Sequence, residues 1–481
     1  MKMPVLKHNL IWLILAGAIL SLSGCAGWRP VREAELPPAP EQYLNASLTG
    51  DACDDAWWEV FADPALDSLM LEMFSRNLTL EQAVARLDQS RAGSVAARAG
   101  WFPAIMAQGS YVENGEVEDE ASVVPNMALD QDPFSGSLAA SYEIDVWGKV
   151  AAGYAAAHAG YHASHEELRA LTITMSAQLA RSYYLVTELS HQLHLLNQTV
   201  TSYQNSFTLV LSRYNRGIVT SQDVYQSKTL LASAKAQRTL VDANLKTAQH
   251  GLSVLLVEYP RNDFIPYRPQ IPTSLETIPV GVPSDLINRR PDVRAAYFRM
   301  ISADRSAAEA VAARLPSFWV TGSLSQSGEE IKDLLNPEGM IWSVIGNVTA
   351  PLFQGGRLQA NSARAEALFR ESLSHYKATV LNAYYEVENA LVRLESLSNY
   401  VNQLEVQVAS AEASLRLTNQ NYLRGITNYL NVVVAQTTYF NARNSLIAAQ
   451  IDLVDAYISL SVAVGGGWTD EMIEQYILSQ E

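Results

Sequence analysis

A short motif that occurs twice constrains the fold more than any other feature of this 481-residue chain. The pentapeptide Tyr-Asn-Arg-Gly-Ile at 214–218 returns as Tyr-Leu-Arg-Gly-Ile at 422–426, 208 positions later. At the same offset, the tripeptide Leu-Ser-Val at 252–254 recurs at 460–462. Each pentapeptide lies between two long helical patterns, and its glycine suits a tight turn because glycine tolerates positive φ. The chain is therefore predicted to be a duplicated unit in which each copy carries a helical hairpin with a glycine at its tip.

Proline placement predicts that these hairpins are made of long helices. No proline occurs between Phe134 and Tyr259, or from Leu352 onwards. An interior proline destabilises a helix by about 3 kcal/mol, so both stretches permit uninterrupted helices. Each half is predicted to combine one helix of about 65 residues, roughly 100 Å long, with two shorter helices that together match its length. The first repeat, 67–257, holds predicted helices 67–98, 149–213 and 220–256 with a tip at 214–219; the second, 283–464, holds helices 283–313, 357–421 and 428–464 with a tip at 422–427.

Alternating side chains predict four transmembrane β-strands. From Phe134 onwards an apolar face alternates with a polar face, which suits a strand that has lipid on one side and water on the other. Beyond the N-terminal segment there is no run of about 18 apolar residues, so we expect strands rather than a helix to cross the membrane. Four strands leave two unpaired edges, which predicts a closed ring of several copies; the pattern does not decide between two and three. The predicted strands cover about 101–112, 134–147, 315–326 and 341–353.

The N-terminus predicts export and lipid attachment. Lys2 and Lys7 precede an apolar run, which ends in Leu-Ser-Gly-Cys at 22–25 and resembles the lipobox of bacterial lipoproteins. We therefore expect residues 1–24 to be a signal peptide and Cys25 to carry the lipid. An uncleaved signal anchor is the alternative.

The segments outside the repeats are predicted to tether and surround the body. Ala26, in place of an aspartate, resembles lipoproteins that are sent to the outer membrane. Residues 25–66 form the predicted lipidated tether, in which Cys53 is expected to be a spectator thiol. The proline-rich linker 258–282 and the C-terminal tail 465–481 are predicted to form an equatorial girdle.

Charge and motif searches narrow the classes of function. The formal net charge of −16 opposes nucleic-acid binding, which needs a basic face. No nucleophile elbow, metal-protease motif or phosphate loop stands out, so the chain is predicted not to be an enzyme and to use no cofactor. The acidic stretch 113–133 is expected to be a solvated loop, with collection of divalent cations as the alternative. His158, His162 and His165 have a spacing that can bind a metal, but a polar helix face is preferred and no metal site is predicted.

Several longer segments resemble the outer-membrane efflux factor family, in its lipoprotein branch. Besides the lipobox they are residues 57–66, 283–292, 351–356 and 460–468. The resemblance implies a mainly α fold with a membrane β part, in which a homotrimer builds a twelve-strand β-barrel on a twelve-helix periplasmic α-barrel. It implies the passive, gated channel of a tripartite multidrug efflux pump, in the outer membrane of a Gram-negative bacterium. The implied partners are a periplasmic adaptor and an inner-membrane transporter of the resistance-nodulation-division type.

The resemblance also assigns roles to residues at the two tips. Asp223 aligns with an acidic residue of the periplasmic gate, and Tyr422 aligns with the residue whose hydroxyl bonds that acid. Asn419 and Thr427 occupy two further positions of the gate. The alternative for this pair is that Asp223 stabilises a helix N-terminus and Tyr422 is ordinary packing. Some relatives carry a basic residue at the position of Thr427, so the gate here is expected to be less ionic. The implied adaptor-contacting residues are Arg216, Gly217, Ile218, Arg424, Gly425 and Ile426. The alternative is that these residues only form turns.

Two other functions stay open at this point. An exit duct for type I protein secretion shares the fold that the resemblance implies. A structural envelope lipoprotein without a pore is opposed only by the alternating strands.

Overall fold

The computed structural model describes residues 30–36, 40, 43–44, 57–113, 132–262, 271–272 and 283–466. The predicted signal peptide, Cys25 and Cys53 lie outside these residues. So do most of the acidic stretch, the linker and the C-terminal tail.

Two long helical hairpins dominate the described chain. The first helix of each hairpin has 67 residues and the second has 35, so the two hairpins repeat the same lengths. The described residues also form three short 3-10 turns, at Trp57–Phe61, Ala99–Trp101 and Ile331–Leu335. The helices are α1 (Pro64–Arg76), α2 (Leu78–Arg98), α3 (Lys149–Asn215), α4 (Ser221–Leu255), α5 (Pro283–Arg289), α6 (Pro291–Ala312), α7 (Arg357–Leu423) and α8 (Tyr429–Ala463).

The single helix predicted at 67–98 is wrong, because the chain forms two helices that meet at Asn77. The backbone N–H of Asn77 closes α1 on the carbonyl of Met73, and its side-chain oxygen accepts from the N–H groups of Thr79 and Leu80. Its side-chain nitrogen donates to the carbonyl of Leu255 at 3.0 Å. Asn77 therefore ends one helix, caps the next and is held by a distant part of the chain.

The single helix predicted at 283–313 is also wrong. Pro291 begins α6, and the residue before a proline is disfavoured in helical conformation, so Arg290 separates α5 from α6. The buried Arg290 guanidinium donates to the carbonyl of Ala463 and pairs with Asp292 and Glu386. The break between α5 and α6 thus places the guanidinium of Arg290 beside two carboxylates and the C-terminal end of α8.

The four strands form one antiparallel sheet in the order β1-β2-β3-β4. Its register places Ser110 opposite Ser135 and Ser323 opposite Ser343, and each hydroxyl pair is hydrogen-bonded, at 2.6 Å and 2.8 Å. The sheet joins the two repeats, since β2 pairs with β3. Within the described residues, the outer edges of β1 and β4 pair with no strand. The strands are β1 (Ala104–Tyr111), β2 (Phe134–Ile144), β3 (Ser317–Gly328) and β4 (Ile341–Thr349).

The chain divides into two compact units, each with its own contacts. One contains the sheet, and in it Arg32 pairs with Asp304 and Glu366, both at 2.6 Å, while its guanidinium lies 3.5 Å from the ring centroid of Phe369. The other contains both hairpin turns, and in it the hydroxyl of Tyr183 donates to Asp63 at 2.7 Å. The first unit comprises the described parts of Met1–Glu35, Asp88–Ser164 and Ala296–Tyr376; the second comprises those of Leu36–Leu87, His165–Ala295 and Lys377–Glu481.

Helix α8 qualifies the expectation that no helix is apolar enough to cross a membrane. Of the helices described, it alone meets the length and composition of a membrane span, and half of its most apolar window is buried inside the protein. Val454 and Ile458 are fully buried. Packing within the protein therefore accounts for the apolar composition of α8.

Candidate functional site

The two hairpin tips have the same backbone. Gly217 and Gly425 both adopt φ +76°, in the left-handed region that favours glycine. Each glycine N–H donates to the carbonyl of the tyrosine three residues earlier, at 2.8 Å from Tyr214 and 3.1 Å from Tyr422. The next N–H, of Ile218 or Ile426, donates five residues back, to Arg213 at 3.0 Å and to Asn421 at 2.9 Å. This pattern satisfies the last carbonyls of each long helix and reverses the chain.

Each tip presents an apolar side chain beside a cation. Ile218 is 61% exposed and Ile426 is 69% exposed, although both are large apolar residues. Arg216 and Arg424 are also exposed, and Arg216 donates to the carbonyl and hydroxyl of Ser212 in its own helix. We call the predicted docking residues, Arg216, Gly217, Ile218, Arg424, Gly425 and Ile426, the tip surface. A surface of exposed apolar and cationic groups suits recognition by another protein.

The second helix of each hairpin begins with a different cap. In α4, Thr220 and Asp223 form a capping box: the carboxylate accepts from the N–H and hydroxyl of Thr220 at 3.1 Å and 3.0 Å. In α8, Asn428 accepts from the N–H of Asn431, whose side-chain nitrogen donates to the hydroxyl of Thr427 at 2.6 Å. The structure thus places the predicted gate acid Asp223 on a helix N-terminus, which a carboxylate stabilises.

Tyr422 lies in an apolar cluster where the two hairpins meet. It is 4% exposed and packs with Val210, Val432 and Val433, and its ring centroid lies 5.8 Å from that of Tyr429. The hydroxyl of Tyr422 is buried and has no hydrogen-bond partner in the part of the chain that the structure describes. Within one chain, therefore, the structure does not join Tyr422 to Asp223 by the hydrogen bond that the resemblance implies. Asn419 is half-buried, about one turn before the end of α7.

Burial also changes the acidity of Tyr429 in this cluster. It is 3% exposed, and burial, with smaller contributions from Tyr422 and the charge of Asp223, raises the pKa of Tyr429 to about 12. A neutral phenol is therefore held at the tips over the whole physiological pH range.

Arg213 is the tip residue that the sequence patterns missed. It lies on the last turn of α3, and its side chain crosses to the end of α7. One terminal nitrogen donates to the carbonyl of Tyr422 at 3.2 Å and the other to the carbonyl of Leu423 at 3.3 Å. The guanidinium also lies 4.4 Å from the ring centroid of Tyr422, a cation–π distance. The sequence did contain one signal for Arg213. The two repeats differ at this position, since Asn421 is the residue equivalent to Arg213.

A second polar contact between the hairpins lies further from the tips. Gln436 of α8 is 2% exposed, and its side-chain nitrogen donates to the hydroxyls of Ser206 and Ser202 of α3, at 3.0 Å and 3.3 Å. This contact also escaped the sequence patterns, because it joins residues that are 230 and 234 positions apart.

Of the three histidines that were considered as metal ligands, the structure brings two within hydrogen-bond distance of each other. The Nε2 atoms of His158 and His162 lie 3.2 Å apart, the distance of a hydrogen bond between the two rings. Among the described residues, no group of three or more histidine, cysteine or acidic side chains is placed to hold a metal ion. The lipidation site Cys25 lies outside the described residues.

Comparison with known proteins places the chain among outer membrane efflux proteins. A family model described as outer membrane efflux protein matches residues 69–257 and 282–466. The pyoverdine export outer membrane protein OpmQ of Pseudomonas aeruginosa is 28% identical over 464 residues, which cover 95% of this chain and 97% of OpmQ. The cation efflux system protein CusC of Escherichia coli is 27% identical over 460 residues, covering 93% of this chain and 97% of CusC.

A solved structure leads to the same family. A crystal structure of CusC, determined in a study of folding and transmembrane channel formation, superposes with a TM-score of 0.81 at 25% identity. The match covers 92% of this chain and all of that one. The mainly helical fold with a small β part and the outer-membrane location in a Gram-negative bacterium are therefore both confirmed. The chain belongs to the outer membrane efflux protein family.

Proposed function

We propose that this protein is the passive exit duct of a tripartite pump, a homotrimeric channel with a gated periplasmic mouth. The cargo is small molecules, which the duct conducts without chemistry. A periplasmic adaptor and an inner-membrane transporter of the resistance-nodulation-division type supply the cargo and the energy. The observation that carries the proposal is the sheet: four strands whose outer edges are unpaired within the described residues, in a chain of an efflux family.

Open strand edges are the physical reason for a ring. A strand edge in lipid leaves backbone N–H and C=O groups without partners, and each costs several kcal/mol. Pairing β4 of one copy with β1 of the next removes every edge. Two copies would close eight strands around an interior filled by side chains, whereas three close twelve strands around a passage. We therefore propose three copies.

A duct of this kind needs a closing device, and the hairpin tips supply it. A permanently open passage would leak, so contacts among the tips hold the mouth shut until a partner offsets their loss. We place the gate at Asp223, Tyr422, Asn419 and Thr427. Combining Asp223→Ala with Tyr422→Phe is expected to raise single-channel conductance in planar bilayers. Unchanged conductance would remove these two residues from the gate.

The tip surface is the proposed docking site for the adaptor. Val in place of Gly425 is strained by about 1–2 kcal/mol at φ +76° and adds bulk at the outermost turn. We expect Gly425→Val to abolish drug resistance in cells that depend on this duct, while trimers persist on gels. The matched control is Gly251→Val, since Gly251 is an exposed helical glycine with open space around it. Full resistance in cells carrying Gly425→Val would exclude docking at the tips.

The central experiment measures mass and current on the purified protein. We expect a trimer in detergent and discrete conductance steps in a planar bilayer. A monomer, or a trimer that passes no current, would overturn the proposal; the latter would favour a structural lipoprotein without a pore. Co-purification with a protein-secretion transporter instead of a drug transporter would assign the duct to type I secretion.

Lipid attachment at Cys25 is a separate part of the proposal. It rests on the Leu-Ser-Gly-Cys segment alone. Mass spectrometry of the N-terminal peptide should detect a mature chain that begins at an acylated Cys25. Cys25→Ser should abolish this modification, and an unmodified wild-type peptide would exclude the anchor.

A further inference from the structure

We infer that Arg213 is the latch that holds the two hairpin tips of one chain together, and that this contact must break when the mouth opens. The inference rests on the proposed function for its meaning, because a latch matters only where the tips gate a passage. Its geometry stands on the contacts of Arg213 with Tyr422 and Leu423 alone.

The guanidinium of Arg213 donates to the end of a helix in the other hairpin. Its two terminal nitrogens bind the carbonyls of Tyr422 and Leu423, which are the last residues of α7. The carbonyls at a helix C-terminus lack partners within the helix and carry a partial negative charge. A cation placed there interacts favourably with the helix dipole; the carbonyl of Leu423 gains a donor, and that of Tyr422, which already accepts from the N–H of Gly425, gains a second one. Arg213 therefore joins the end of α3 to the end of α7.

Arg213 also stacks on the ring of Tyr422. The guanidinium lies 4.4 Å from the centroid of the buried Tyr422 ring, and Arg213 is itself half-buried. A planar guanidinium can stack on a ring and donate two parallel hydrogen bonds at once, which the ammonium of a lysine cannot do. Tyr422 thus presents its ring and its carbonyl to Arg213, and its hydroxyl, which has no partner among the described residues, takes no part in this contact.

The turn at a hairpin tip forms without an arginine at this position. In the second tip, Asn421 stands at the position equivalent to Arg213, and its carbonyl accepts from Ile426 just as that of Arg213 accepts from Ile218. The backbone of the turn therefore does not need an arginine side chain. The side chain of Arg213 is free for a contact between hairpins, and the described structure uses it for that alone.

Conductance of matched variants tests the latch. Arg213→Met keeps the apolar stem and removes the guanidinium; charged hydrogen bonds contribute about 1.5–3 kcal/mol, so the ratio of open to closed channels should rise at least about tenfold. Arg213→Lys should give a smaller rise, because one bond and the stacking are lost. Arg238→Met is the control, since Arg238 is an exposed arginine of α4 that lies outside the tip surface and the gate. Equal open probabilities in Arg213→Met and Arg238→Met would overturn the latch.

Hydrogen exchange tests the same contact without a current. In the purified protein, the amides of residues 424–427 should exchange about tenfold faster in Arg213→Met than in the wild type, and at the wild-type rate in Arg238→Met. Unchanged exchange in Arg213→Met would overturn the latch even if the channel conducts. A wild type that passes no current, together with faster exchange in Arg213→Met, would overturn the proposed channel and keep the contact between the tips. The two failures are therefore distinguishable.

Discussion

The two hairpin tips share a backbone and differ in almost everything attached to it. Both turn at a glycine with φ +76° and both make the same pair of backbone hydrogen bonds. Yet Tyr214 of the first tip is 44% exposed, whereas Tyr422 at the equivalent place in the second is 4% exposed. Arg213 reaches across to the second tip, and Asn421 occupies its place there.

The comparison separates the requirements of a turn from those of a contact. A reversal between two long helices needs a left-handed residue, and that demand is the same in both copies of a duplicated chain. A contact between the hairpins needs a donor on one side and an acceptor on the other, so equivalent positions must carry different residues. Arg213 is the donor, and the ring and carbonyl of Tyr422 are the acceptors.

The largest expected effect comes from replacing the two equivalent tyrosines, because Tyr422 is buried and Tyr214 is not. Tyr422→Ala removes a buried ring from the cluster with Val210 and Tyr429, which should cost about 3 kcal/mol of local stability. Tyr214→Ala removes a half-exposed ring and should cost less than about 1 kcal/mol. Hydrogen exchange of the tip amides measures both. Equal acceleration in the two variants would contradict the difference in burial.

The next prediction tests whether the turns are equivalent. Gly217→Ala and Gly425→Ala each force an L-residue into the left-handed region at a cost of about 1–2 kcal/mol. No described atom lies within 4 Å of the added methyl group at either site, so backbone strain is the only term and the two costs should agree. The same exchange measurement should give equal accelerations. A cost at one tip that exceeds the other by more than about 1 kcal/mol would show that the two turns are not energetically equivalent.

Removing the N-terminal caps of α4 and α8 should have a smaller effect than the glycine substitutions. Thr220→Ala removes a reciprocal capping box with Asp223, and Asn428→Ala removes one side-chain hydrogen bond to Asn431. Loss of a cap costs about 1 kcal/mol, so exchange in the first turn of each helix should quicken about fivefold, slightly more in α4 than in α8. A larger effect in α8 would mean that Asn428 makes contacts beyond its own helix.

The last prediction concerns pH, and its effect on stability is absent at physiological pH. Burial raises the pKa of Tyr429 from the ordinary value near 10 to about 12, so its neutral form is favoured in the folded protein. This contribution to stability is complete below pH 10 and is lost as the pH rises towards 12. Difference absorbance titration of the wild type against Tyr429→Phe should resolve one phenol that ionises near pH 12. A midpoint near 10 would mean that water reaches Tyr429, and the position has no counterpart at the first tip, where Ser221 stands.

The sequence predicted the family, the membrane location and the mainly helical fold, and the comparisons confirm these three. Long proline-free stretches and alternating side chains are local patterns, so they can be read without a structure. The break before Pro291 also had a local signal, because a proline disfavours helix in the residue that precedes it, and the prediction of one helix overlooked that signal. The break at Asn77 had a weaker local signal. Asn77 caps α2, but it also donates to the carbonyl of Leu255, 178 positions away, and a local pattern does not show that contact.

By itself, the sequence determined that this protein is a duplicated pair of glycine-tipped helical hairpins with four short strands, because turn glycines and side-chain periods act over a few residues. Only the tertiary structure decided which side chains join the tips. Arg213 meets Tyr422 across 209 positions of sequence, and Asp223 turns back to cap its own helix. Two side chains so far apart in the sequence interact only once the helices have packed. No periodicity of the sequence therefore indicates which arginine contacts which helix end.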